Sequence, residues 1–544
     1  MKCLISLVSR APKRIILLPD LCGLWFSGFG KMQYIILLAC LIIQMWVSNE
    51  QLGFAVVIAG ASCELDIANH RVVWLVSGNF GSQMISCYLW GEISDQYGRR
   101  KVLVLAGLTA NFLSLLSACM PEFWSFWAFR TLAGFFISGN VVCIMTYLSE
   151  FTKVSLRPKV QNIMSYAIGL SLIYVPCKNR FTTPFRCADF PFSLALAGVL
   201  LPLKMKPIRG WRILLICNQI PGIIGLLLMV LLPESPKYYL SVGNQEKAMK
   251  VMEQVCRMNR GKGVTLESLG VDSLTQPRLR DSLMNTDRCH DTKTLMTKHL
   301  KFICIFFYIF FTLSGMGFSL PTWMLRIRVL ANQVEEQKSV CNLIKDDLPQ
   351  VLEVGFDVAI GISFTHFSSQ CELGYDKMIA PITHGFVVLG IFILTSILLI
   401  RLKRRVVIII YILIAIAGCV SLNFTNHSDL ILLGFFAIID PPLCSLRLAS
   451  SLLIDLVPTH LRGKAFALIS MMGRAGVLVI NLYVGLTLSK ICYVTFNLLI
   501  LLLIGKQFLL LKFTFYTKEI SIVCGILVLI LPSEYKVRSL IMQK

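Results

Sequence analysis

Long apolar runs separated by short polar stretches dominate the chain. A helix needs roughly 20 apolar residues to cross a bilayer, and about twelve runs of that order are present. They begin near Tyr34, Val72, Val102, Phe123, Val160, Trp211, Phe302, Ile379, Val406, Leu430, Ala465 and Ile491. Six precede and six follow a polar connector. The pattern predicts an all-α membrane protein of two six-helix halves, with no separate soluble domain. Its expected parts are an N-terminal segment (1–32), a first half (33–232), a connector (233–300), a second half (301–531) and a tail (532–544). Within the connector, Ala248, Val251, Met252 and Val255 recur at helical spacing over Asn244–Met258. That spacing predicts an amphipathic helix against the cytoplasmic face. Two runs are interrupted. Val160–Pro176 is followed by polar Cys177–Asp189 before apolar character resumes near Phe190, and Ile491–Gly505 is broken by Lys506, Lys512, Lys518 and Glu519. Each interruption opens on a residue whose codon can end in GT, followed by Lys, as at a splice donor. Segments 177–193 and 506–521 therefore read as translated introns, with re-entrant loops the alternative.

The 544 residues are 56% hydrophobic, which excludes a soluble globular protein, since such a protein needs a polar skin. The net charge of +22 changes the picture less than it promises. Lys and Arg lie in short loops, as orientation in a membrane requires, so nucleic acid is not an expected partner. Arg10, Lys13 and Arg14, Arg99–Lys101, Lys153, Arg157 and Lys159, and Arg401–Arg405 mark one side; the loops 62–70, 121–122 and 423–429 have no Lys or Arg. Both termini are then expected in the cytoplasm. Lys204, Lys206 and Arg209 break the rule. Most of the 19 cysteines lie in apolar runs and no C-x-x-C pair exists, so zinc and dithiol chemistry find no support. Cys341 and Cys371 share a long outer loop and are candidates for a disulfide, with two free thiols the alternative. His366, His384 and His427 form no cluster, and no metal or cofactor is expected.

Gly91-Glu-Ile-Ser-Asp-Gln-Tyr-Gly-Arg-Arg-Lys101 sits between the second and third runs. Gly91 permits close helix packing. Asp95 can place negative charge at the N-terminus of a neighbouring helix. Gly98 permits a tight turn, and Arg99 and Arg100 offer positive charge to acids on other loops. Simple flanking charge explains Arg99–Lys101 but not Gly91, Asp95 and Gly98 together. The stretch resembles the G-x-x-x-D-[RK]-x-G-R-[RK] signature of the major facilitator superfamily, with Gln96 in a normally basic place. Arg130-x-x-x-Gly134, Tyr147-Leu-Ser-Glu150, Pro233-Glu-Ser-Pro-Lys237 and Asp455-Leu-Val-Pro-Thr-x-Leu-Arg462 resemble the sugar-porter signatures, with Lys237 for Arg and Asp455 for Glu. Ala61-Ser-Cys-Glu-Leu-Asp66, Leu89-Trp-Gly91 and the Pro-Glu-Ser-Pro stretch are similar to synaptic-vesicle-glycoprotein-2-like proteins and organic-ion transporters. The resemblance implies a twelve-helix fold with its substrate site at the midplane between the halves. It also implies an inner latch drawn from Arg99, Arg100, Glu150, Arg157 and Glu234 in the first half, and Asp455 with Arg462 in the second. Ile400–Arg405 has the charge of a second signature loop but neither its Gly nor its Asp.

Ionisable residues inside a bilayer usually have a partner or a role. Glu50 and Arg130 fall in the outer halves of the first and fourth runs, at depths compatible with contact. An acid–arginine pair there resembles the proton-coupling pair of sugar porters; a static ion pair is the alternative. Asp440 precedes Pro441-Pro442, where prolines free backbone carbonyls, and reads as a cation contact or a structural group. Arg447 lies about two turns on, and Arg474 is expected at the inner gate. The seventh run, Phe306–Gly315, carries no amide, unlike the Gln-Gln pair of sugar porters. No G-x-x-x-x-G-K-[ST] loop for ATP is present. The expected function is secondary transport of a small organic ion, a cation favoured, by alternating access with protons the candidate coupling ion. The protein is expected to be a monomer in the plasma or a vesicle membrane and not an enzyme. A transporter-like binding or regulatory protein of vesicle membranes is the alternative.

Overall fold

Apolar runs of bilayer length form helices because every backbone polar group must be satisfied within its own segment. A computed structural model describes residues 14–17, 30–61, 64–65, 67, 69–153, 156–182, 210–261, 266, 271–275, 300–333, 339–341, 375–456, 462–488 and 492–504. The first run is α1 (Lys31–Ser48), a π-helical turn (Asn49–Gly53) and α2 (Phe54–Ala61). Then come α3 (Asn69–Tyr97), α4 (Arg99–Ala118), α5 (Phe123–Glu150), α6 (Arg157–Thr182), α7 (Gly210–Asn218) and α8 (Ile220–Leu231). The connector holds α9 (Pro236–Ser241) and α10 (Gln245–Arg260). The second half holds α11 (Leu300–Gln333), α12 (Tyr375–Arg401), α13 (Arg404–Phe424), α14 (Ser428–Leu456), α15 (Arg462–Thr487) and α16 (Cys492–Ile504). Two short strands, β1 (Arg14–Leu17) and β2 (Val271–Thr275), pair in parallel and join the N-terminal segment to the connector.

Among the described residues, nine helical segments are long and apolar enough to cross a membrane; this is a multi-pass membrane protein. Helices α3 and α6 also have the length, 29 and 26 residues, but bury polar groups: Asn79, Gln83 and Ser86 on α3, Gln161, Asn162 and Ser165 on α6. α16 accounts for 13 residues of the twelfth run. The interrupted fifth run stays helical through Pro176 and Cys177 to Thr182. The remainder of segment 177–193, and all of 506–521, lie outside the described residues.

The halves meet along two seams, α3 against α15 and α6 against α12. Small residues let the backbones approach: a Cβ on Gly169 would lie 2.9 Å from the Leu389 backbone, one on Gly385 2.8 Å from the Ile173 amide, and one on Gly91 2.8 Å from the Ala467 Cβ.

The connector helix follows its sequence pattern. α10 buries Ala248, Val251, Met252, Val255 and Cys256, with Asn244 capping its start. Asn259 accepts from the Met32 amide at 3.0 Å and donates to Gln33 at 2.8 Å, tying α10 to the start of the first span. The expected Cys341–Cys371 disulfide is corrected: Cys341 is bonded to Cys492, with Cα atoms 5.4 Å apart. Sequence proximity favoured Cys371, but the fold carries the start of α16 to Cys341. Non-reducing peptide mapping should recover a 341–492 crosslinked fragment; a 341–371 fragment would contradict this geometry.

Candidate functional site

The chain buries a charge in the first half because its backbone deforms there. Asn49–Gly53 is a π-helical turn, an insertion frequent at functional sites because it re-aims a side chain. Glu50 projects from it to Arg130 of α5, Oε2 to Nη1 at 2.7 Å, both side chains 1% exposed. Ser114 of α4 donates to the same carboxylate oxygen at 2.8 Å and accepts from Arg130 at 3.0 Å. Gln219 donates to Glu50 Oε1 at 2.7 Å, while its own oxygen accepts from Trp46 Nε1 at 2.9 Å. The guanidinium lies 4.1 Å from the centroid of the Phe54 ring. Both carboxylate oxygens are thus engaged, the condition under which a buried ion pair is tolerated. Gln219 can reach because Pro221 has no N–H and interrupts the helix between α7 and α8. The Cys217 carbonyl, four residues before Pro221, accepts instead from Tyr174 Oη at 3.2 Å. Gly134, one turn beyond Arg130, packs so tightly on Asn79 that a Cβ would collide with it.

Sequence reasoning named Glu50 and Arg130 but not Ser114, Gln219 or Trp46. The polar pair Asn218-Gln219 before a proline, inside an apolar run, was the available signal. Asn49, also 1% exposed, has neither its amide oxygen nor its nitrogen engaged among the described residues.

A second polar centre lies in the other half. Asp440 of α14 meets His384 of α12, Oδ1 to Nε2 at 2.7 Å, side chains 0% and 2% exposed. The imidazole stacks on Phe436, centroids 5.3 Å apart and planes at 5°. His384, a lone histidine in an apolar run, went unassigned because nothing local marks its partner 56 residues away. Arg474 was expected at the inner gate. It lies instead midway along α15, beside Phe80 of α3 and Phe318 of α11, with ring centroids 5.4 and 5.2 Å away, and against Cys87. It thus reaches across the seam between halves. Its Nη1 is buried without a hydrogen-bond partner among the described residues.

The latch residues of the first half gather at one end of the bundle. Arg99 pairs with Asp95 at 2.6 Å and Glu150 at 3.3 Å. The expected helix-capping acid is not Asp95 but Glu234, which accepts from the backbone amides of Arg100 (2.9 Å), Lys101 (3.3 Å) and Ser235 (3.0 Å). Gly98, at φ +104°, sits against that carboxylate, and a Cβ there would fall 2.5 Å from Glu234 Oε2. The Arg100 guanidinium donates to the carbonyls of Met229 and Val230 at the end of α8. Tyr147 donates to the Pro233 carbonyl at 2.6 Å, and Ser235 caps α9. Arg157 donates to the Ser149 and Thr152 carbonyls. Asp455 lies in the last turn of α14 and Arg462 opens α15, but their side chains lie outside the described residues, as does Cys371. Trp90, beside Gly91, is buried and donates to the Phe135 carbonyl at 2.8 Å. Among the described residues no His, Cys, Asp and Glu cluster could hold a metal.

This arrangement has relatives. The model of the Sugar (and other) transporter family matches residues 45–320, just over half of the chain, and the chain belongs to that family. The mouse protein SVOPL is 27% identical over 337 residues, 62% of this chain and 59% of its own length. The Xenopus laevis synaptic vesicle 2-related protein is 29% identical over 232 residues, 43% of this chain and 38% of its own length. The matches therefore span about half the length of these relatives. Among solved structures, the proton:xylose symporter XylE bound to 6-bromo-6-deoxy-D-glucose superposes with a TM-score of 0.56 at 18% identity, covering 92% of this chain and 99% of its own. A partially occluded inward-open conformation of XylE from E. coli gives 0.57 at 15% identity, covering 90% and 100%. The fold is that of the major facilitator superfamily.

Proposed function

We propose that the protein is a secondary transporter that moves a small organic anion by alternating access, with protons as the coupling ion. The observation that carries the sign of the charge is the Arg474 Nη1 group, buried at the seam between halves with no partner among the described residues. Asp440 alone would favour a cation, but His384 engages it, whereas Arg474 Nη1 has no hydrogen-bond partner among the described residues. A buried, unpaired donor is costly, and a carboxylate between the halves would satisfy it. Proton coupling is supported by the Glu50–Arg130 pair: protonating Glu50 would free Arg130 and favour another state of the cycle. A structural neighbour, XylE, is a proton:xylose symporter. We place Arg99, Glu150 and Glu234 in a cytoplasmic latch. The names of several relatives support a vesicle membrane.

The test is uptake into proteoliposomes under an imposed proton gradient, with radiolabelled benzoate and radiolabelled tetraethylammonium. Benzoate should accumulate, and Arg474→Gln should cut its uptake at least about tenfold, as loss of a charge-assisted hydrogen bond of roughly 1.5–3 kcal/mol implies. Tetraethylammonium uptake indifferent to Arg474→Gln would restore the cation. Absence of flux across a wider panel of organic ions would support a non-transporting membrane binding protein.

A further inference from the structure

We propose that His384 and Asp440 form a second proton-binding site, in the half of the molecule that does not contain Glu50, and that its protonation controls the contact between α12 and α6. The inference deepens the transport reading, but its first test needs no transport.

The two groups are buried, 2.7 Å apart, and lie on different helices. With a neutral imidazole donating from Nε2 to a carboxylate, the pair carries one negative charge. Binding one proton at Nδ1 converts it to imidazolium and carboxylate, with no net charge. That neutral form suits a lipid-embedded bundle better than the anion, because an uncompensated charge there is costly. Asp440 Oδ2 is buried without a partner among the described residues, so the carboxyl has room to take the proton itself. The stacked Phe436 ring fixes the imidazole plane, keeping Nε2 aimed at Asp440.

The neighbours leave this proton to the pair. α6, α11, α13 and α15 pack on α12 or α14. Between Val160 and Pro176, Ile303 and Leu325, and Val406 and Phe424, these helices carry no Lys, Arg, Asp or Glu. Their titratable groups there are Tyr166 and Tyr174, Cys304 and Tyr308, and Tyr411 and Cys419. The hydroxyls of Tyr166, Tyr174, Tyr308 and Tyr411 are already hydrogen-bonded to Ser396, Cys217, Leu502 and Thr395. In their middles α14 itself adds Cys444 and Arg447, and α15 adds Arg474, while Asp429, Asp455, Arg462, Lys464 and Tyr483 lie toward the helix ends.

A mechanical consequence follows from Gly385. It is the residue after His384, and it is where α12 touches the Ile173 backbone of α6 in the other half. A change in the hydrogen bond holding His384 to α14 therefore acts on a seam between halves.

The experiment is infrared difference spectroscopy of the full chain in lipid nanodiscs, between about pH 5 and about pH 9, on both sides of the ordinary imidazole range. The wild type should show coupled imidazole and carboxyl bands. Both should vanish in Asp440→Asn and in His384→Gln, and persist in Glu50→Gln. Bands unchanged in Asp440→Asn would overturn the proposal. The double variant His384→Gln with Asp440→Asn keeps a hydrogen-bonding pair and serves where a single variant fails to fold. Hydrogen exchange across α6 and α12, corrected for intrinsic pH dependence, should change with pH in the wild type and lose that response in the double variant. Retention of the response would refute control of the seam. Loss of the bands with intact benzoate uptake would separate this site from the transport reading, and absent uptake with intact bands would do the reverse.

Discussion

Arg130→Met is expected to destabilise the protein by about 3–5 kcal/mol, because it leaves a buried carboxylate without its counter-charge. Glu50 would keep Ser114 and Gln219 as donors, but not the 2.7 Å guanidinium or the ring contact that holds it over Phe54. The discriminating measurement is the unfolding midpoint in detergent for four proteins: wild type, Arg130→Met, Glu50→Gln and the double variant. Glu50→Gln should cost less than Arg130→Met, since the amide retains a hydrogen-bonding oxygen for Arg130 and Ser114. The double variant should be more stable than Arg130→Met alone, because no unpaired charge remains. Additive losses would mean that the groups do not interact. Arg130→Lys should fall between the extremes, since an ammonium keeps the charge but not the planar fork. A membrane reference state reduces such effects, because polar groups in the unfolded chain also find partners; the order of the four midpoints is therefore the firmer expectation.

That pair was legible in the sequence because two isolated charges in apolar runs at similar depth have few other partners. The two-half fold was legible for the same reason, since hydropathy marks a span without knowledge of its neighbours. Helices α3 and α6 were recognised as runs despite Asn79, Gln83 and Gln161, but which face those groups take is decided by packing. Contacts far apart in sequence were not legible. Glu234 caps α4 across 134 residues, a place that the sequence pattern assigned to Asp95. Asp95 prefers the nearer Arg99, one helical turn away. His384 carries no local mark, since one histidine in an apolar run looks like filler until α14 brings Asp440 to it. Cys492 looked like a buried thiol because the approach of α16 to Cys341 is a tertiary event. Arg474 was expected at the inner gate, at the start of its span, yet it lies midway along α15 with its charge against two aromatic rings.

Gly91→Leu is expected to abolish transport while leaving the helical content intact. Gly91 is the first residue of the Gly91–Lys101 stretch, and in the structure it lies in the seam between α3 and α15, where even a methyl group would sit 2.8 Å from Ala467. Leucine adds three further carbons beyond that methyl. Closely packed backbones cannot absorb them without parting, and overpacking of this kind costs about 1–3 kcal/mol. A multi-pass bundle can tolerate that loss globally, but an equilibrium between two states of one seam shifts by roughly tenfold for each 1.4 kcal/mol. If the seam must close on the Arg99 and Glu234 side during each cycle, the variant will be held open there. Benzoate uptake should drop by at least about tenfold, and Ser470→Cys, buried on α15, should react faster with a thiol reagent applied from the side of the membrane that bears Arg99. Gly91→Ala, whose single methyl meets a small partner, should lose less. Wild-type uptake by Gly91→Leu, with unchanged Ser470→Cys reactivity, would mean that the α3–α15 contact is a fixed strut and that the moving seam is the one between α6 and α12.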